Sequence, residues 1–135
     1  MSIRAIPLLV FAFIVYNIVV LGMGVEGLNT PILNKLHLLS GGEWTFTVGD
    51  FILLITLFLL FIEIVKSTFT TTSTLIDHAL SMVVFIAILV EFLMVQQAAT
   101  SVFFLIMMAS LIDVIAGYTI GIRVARRDLN IGADQ

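Results

Sequence analysis

Phe51-Ile52-Leu53-Leu54-Ile55-Thr56-Leu57-Phe58-Leu59-Leu60-Phe61-Ile62-Glu63-Ile64-Val65 is the stretch that decides the fold class. It carries one hydroxyl, Thr56, and one charge, Glu63. Apolar and polar residues do not alternate along it, as they would along a strand of a membrane barrel. With Asp50 before it and Lys66 after it, it suits a helix crossing a hydrocarbon core, which takes about 20 residues. The whole chain agrees: of 135 residues 61% are hydrophobic and only 11% charged, with a mean hydropathy of +1.22. A soluble domain of this size could not cover its surface with so few polar residues.

Three more runs qualify on either side of this one, giving spans at about 6–23, 51–66, 75–95 and 101–122. Arg4 ahead of an apolar run ending in Gly22-Met23-Gly24 also fits a cleavable signal peptide, but the run is longer than a usual signal core. Pro7 suits the first turn of that span, where its missing N–H costs little. Lys and Arg near the span ends are distributed five (Arg4, Lys66, Arg123, Arg126, Arg127) against one (Lys35), which places both termini in the cytoplasm. Four spans return the chain to its starting side, in agreement. The expectation is an all-α membrane protein: a single transmembrane domain over 1–127, built as an antiparallel four-transmembrane-helix bundle, with a short cytoplasmic tail at 128–135.

The connection over 24–50 is the only long one. Thr30-Pro31 reads as an N-cap and first helical position, and Ser40-Gly41-Gly42 as a stop. Between them Ile32, Leu33, Leu36 and Leu39 share one helical face, which predicts a short amphipathic helix over about 31–39 lying in the outer interface. Trp44 and Phe46 suit the interfacial aromatic belt. Thr47 and Asp50 have capping-box spacing for the second span, as do Thr74 and Asp77 for the third. The uncharged turn from Gln96 to Thr100 makes spans three and four antiparallel neighbours.

Ionisable groups inside spans are costly and mark candidate sites. Glu63 lies 13 positions after Asp50 and Asp113 lies 12 after Ser101, depths of roughly 20 and 18 Å at about 1.5 Å per residue. They share a layer with Lys66, one turn beyond Glu63. Glu91 on the third span and Asn17 on the first fall in a second layer near the other surface. Asp77, Ser81, Val84, Ile88 and Glu91 occupy one helical face. Each group also has a structural reading: Glu63 with Lys66 as an ion pair, Asp77 as a cap, His78 as an interfacial polar residue, Asn17 as a helix–helix hydrogen bonder. Asp113 either pairs with Lys66 or is protonated and neutral. Ser110, Asp113, Gly117 and Gly121 line one side of the fourth span, and Gly117 with Gly121 forms a GxxxG spacing that lets a neighbouring helix, or another protomer, approach closely.

The absences narrow the function. There is no cysteine, and no metal-ligand spacing, phosphate loop or nucleophile elbow, so neither a cofactor nor an enzymatic role is expected. Nucleic acid does not suit a chain this apolar. The expected partners are the lipid bilayer and either further copies of the chain or a membrane complex. The leading expectation is a non-enzymatic protein acting by association, as accessory subunit or homo-oligomer. The competing one is a small oligomeric proton- or cation-coupled transporter or channel using Asp113, Glu63 and Glu91.

The layout resembles small four-span inner-membrane proteins of proteobacteria. The Glu63-Ile64-Val65-Lys66 segment late in span two, with the longer loop after span one, is similar to the phosphate-starvation-inducible E family. Glu91 departs from that resemblance, since the family places a basic residue in its third span. The resemblance implies a bacterial inner-membrane location and this architecture, without implying a mechanism.

Overall fold

The computed structural model describes residues 6–69 and 74–133, the side chains of 74, 75, 124, 125 and 127–133 excepted. Arg4, Arg127 as a charge, the loop at 70–73 and the Thr74 cap therefore lie outside what is described. The chain is mostly helical: α1 Leu9–Met23, α2 Val48–Ser67, α3 Thr74–Met94 and α4 Ser101–Ala133, with 3-10 turns at Val25–Asn29 and Gln96–Ala98. Among the described residues, three helices are long and apolar enough to cross a membrane, over Val48–Ser67, Ile76–Met94 and Ser101–Arg123. The apolar α1 is shorter, 15 residues, or about 22 Å at 1.5 Å per residue. The expected tail is not a separate element, because α4 continues through it to Ala133.

Helix α4 is central, packed along both α2 and α3, while α1 lies chiefly against α2 and reaches α4. The two ends of this assembly differ in composition. At the end bearing the α1–α2 connection, here the hairpin end, Ala12, Tyr16, Val20, Ile52, Ile88, Phe103, Ile106 and Met107 close an apolar core. Phe103 is its hub, with Tyr16 at 4.9 Å and a stacked Phe92 at 6.2 Å between ring centroids. At the far end polar groups are buried as well, Glu63, Ser67, Ser81, Ser110 and Asp113, beside the apolar Leu9 and Val114.

The start of α2 follows the sequence expectation. The Thr47 hydroxyl accepts from the Asp50 N–H at 3.2 Å, and the Asp50 carboxylate accepts from the Thr47 N–H at 3.1 Å, a complete capping box.

The expected amphipathic helix over 31–39 is absent. Strands β1 Pro31–His37 and β2 Glu43–Thr47 form an antiparallel hairpin instead. Its base is closed by Val48 N–H to the Thr30 carbonyl at 2.9 Å. Its tip is closed by Gly41 N–H to the Leu38 carbonyl at 2.9 Å, with Gly41 in the left-handed region at φ 88°. The error has an identifiable cause. Cross-strand pairs set Leu33 opposite Phe46 and Leu36 opposite Trp44, although three positions separate the leucines and two the aromatics. A bulge absorbs the extra residue, with Lys35 at φ 42°. A bulged strand thereby puts residues i and i+3 on one face, the spacing that reads as helical in the sequence. The alternation Trp44-Thr45-Phe46-Thr47 beyond a Ser-Gly-Gly turn was the strand signal.

Candidate functional site: two polar layers

The far-end layer is held by α2. The Glu63 carboxylate, 8% exposed, accepts from the Lys66 ammonium at 2.9 Å through one oxygen. The same oxygen accepts the Leu8 backbone N–H at 2.9 Å. Helix α1 has no side-chain cap of its own at Leu8, so an acidic side chain from another helix satisfies an amide that its own turn leaves over. Lys66 also donates to the Ile6 carbonyl at 3.4 Å. Of the two partners considered for Lys66, the structure pairs it with Glu63, and the pair clasps the start of α1 to the end of α2.

Asp113, 4% exposed on α4, faces the same layer and borders the same pocket as Ser81 of α3. Pro7, Glu63, Lys66, Ser67, Asp77, His78, Ser81 and Asp113 border one small cavity of about 30 Å³. That is room for two or three waters, since one needs about 10–15 Å³. Among the described residues, Asp77 Oδ1 and His78 Nε2 are buried atoms without a hydrogen-bond partner. The same residues include no group of three His, Asp or Glu side chains placed to hold a metal ion.

His78 is half-buried and packs against α4. Its ring lies on the Gly117 and Gly121 face of α4, beside Tyr118 at 5.1 Å between centroids. A Cβ added at Gly117 would stand 2.8 Å from His78 Nδ1, and one at Gly121 would stand 2.9 Å from Nε2. The GxxxG spacing here seats an imidazole from α3 within the same chain. This role was readable only as a possibility, because nothing in the sequence tells which neighbour fills a groove of small residues.

Near the hairpin end the layer is built from neutral donors and one carboxylate. Asn17 Nδ2 donates to Glu91 Oε2 at 3.0 Å and to the Phe13 carbonyl one turn back at 2.9 Å. Tyr16, 1% exposed, donates its hydroxyl to the Gln97 carbonyl at 2.8 Å and pairs with Thr100 Oγ1 at 2.7 Å. Thr100 in turn accepts the Phe103 N–H at 3.2 Å as the α4 cap. Tyr16 thus clasps α1 to the α3–α4 connection, a role the sequence reading missed. A tyrosine in an otherwise apolar span was its signal, because a buried phenol hydroxyl needs a partner.

The face of α3 that carries Asp77, Ser81, Val84, Ile88 and Glu91 turns inward, with Ser81 and Ile88 buried and the others half-buried. Ser110 on α4 is buried at 1% exposure. Ile88, Ile106 and Phe103 fill the interval between the two polar layers. No protein-family model, curated protein or solved structure matches this chain.

Proposed function

We propose that the protein is an integral protein of the bacterial inner membrane whose four helices all span it, with both termini cytoplasmic. It acts without catalysis, by association, as an accessory subunit or as a homo-oligomer. The carrying observation is how most of the interior polar groups are used: Glu63, Lys66, Asn17, Glu91 and Tyr16 bind one another or nearby backbone, and apolar side chains pack between the two layers. The cavity at the far end, about 30 Å³, has room for water. The outer surface supports the bilayer as partner, with Ile18, Leu21, Phe58, Phe61, Val83 and Leu93 all more than half exposed. For α1 to span, the bilayer thins locally or the flanking turns share its path, at modest cost. Lys66, Arg123 and Arg126 at the far end agree with a cytoplasmic placement of that end. The layout resemblance to the phosphate-starvation-inducible E family points to the same membrane.

Native mass spectrometry of the protein released gently from its own membrane tests this. A defined complex, with a foreign subunit or with copies of itself, is expected; a lone monomer would remove the reading.

A second reading, a small oligomeric proton- or cation-coupled transporter or channel, draws on one observation. Asp113, Asp77 and His78 border one small pocket, and Asp77 Oδ1 and His78 Nε2 there lack a hydrogen-bond partner among the described residues. Charged groups in such a place bind protons or ions readily. Flux into proteoliposomes that disappears in Asp113→Asn with assembly intact would favour it. No flux in the parent protein would end it.

A further inference from the structure

We propose that the β1–β2 hairpin is a lipid-surface contact, laying one face on the headgroup and acyl boundary beside the bundle; this rests on the membrane reading above. The hairpin is two-faced. Paired across the strands, Leu33, Phe46, Leu36 and Trp44 project to one side, and the bulge at Lys35 is what brings both leucines there. The other side carries His37 and Glu43, 3.6 Å apart with both side chains well exposed, and Thr45. Leu38 and Leu39 extend the apolar character to the tip, where Leu39 is fully exposed.

What covers this face follows from where it leads. Trp44 and Phe46 meet edge to face at 5.6 Å, and Phe46 meets Phe51 of α2 at 6.4 Å. Phe51 begins an exposed stripe on α2 that continues through Leu54, Phe58, Phe61 and Val65 at helical spacing. A hydrocarbon solvent wetting that stripe reaches the hairpin without a break. Tryptophan and phenylalanine at such a junction suit the boundary between headgroups and acyl chains, where an aromatic body is buried and its polar edge stays wet. A second protein is a poorer occupant. A stable interface takes about 800 Å² and 20–30 residues from each partner, and this face offers six side chains.

Trp44 is the only tryptophan in the chain, so the unmodified protein reports on its own hairpin. In vesicles of brominated phosphatidylcholine, Trp44 emission is expected to be blue-shifted, quenched strongly by bromine on shallow acyl carbons and weakly by bromine at mid-chain. Emission typical of water, quenched by iodide and not by bromolipid, would overturn the proposal. So would blue-shifted emission that neither agent quenches, which would mean a protein partner covers the face. A Trp44→Phe/Phe58→Trp variant separates this from the membrane reading: its probe is expected to be quenched best by mid-chain bromine. If that probe is not quenched, α2 does not span, and the hairpin proposal falls with the reading beneath it. If it is quenched while Trp44 is not, the hairpin proposal alone fails.

Discussion

The two polar layers join the same helices by different means. At the far end a nearly buried carboxylate and a partly exposed ammonium share their bonds with the backbone ahead of α1. Near the hairpin end an amide, a phenol and a threonine hydroxyl make neutral or singly charged bonds that can each be lost alone. Removing one member of a buried ion pair strands the other, whereas removing one neutral bond leaves groups able to find substitutes. The far-end layer is therefore the one whose single substitutions should be felt most, and the other layer the more tolerant.

The sharpest attempt to break this comparison is Glu63→Leu, which strands Lys66 and the Leu8 N–H together. We expect a loss of about 3 kcal/mol in reversible unfolding from mixed micelles, the low end for breaking a buried pair because Lys66 can still reach water. Glu63→Leu/Lys66→Met should recover most of it, since an apolar pair of similar volume is tolerated. Next comes Gly117→Ala, whose Cβ would press on the His78 ring, at about 1–3 kcal/mol for an overpacked site. Adding His78→Ala to it should restore stability, and a failure to do so would mean that α4 meets something else there. Tyr16→Phe deletes the hydroxyl between Gln97 and Thr100, at about 1 kcal/mol by the same assay. Asn17→Leu should be the mildest, about 0.6 kcal/mol as for a typical interhelical hydrogen bond in a membrane. An Asn17→Leu loss larger than that of Glu63→Leu would reverse the ranking of the layers.

How far the sequence carried varied with the kind of information each feature needs. The helices were legible because a long unbroken apolar run leaves few alternatives, and the depth count from Asp50 and Ser101 put Glu63 and Asp113 in one layer from geometry alone. The Thr47–Asp50 cap was legible because it is local. The hairpin was not, because a bulge lets a strand imitate the i, i+3 spacing of a helix, and the deciding alternation lay in the partner strand. Neither Glu63's contact with Leu8 nor the seat of His78 was readable, since each joins groups far apart in sequence whose pairing depends on how the helices rotate.

The bond from Leu8 to Glu63 spans 55 positions of chain, and this has a consequence for biogenesis. As α1 emerges from the ribosome, the acceptor for its first amide has not yet been synthesised. Its starting register becomes fixed only when α2 has followed it out, so the two helices mature as a pair and a nascent chain cut before residue 63 holds α1 with an unfinished first turn.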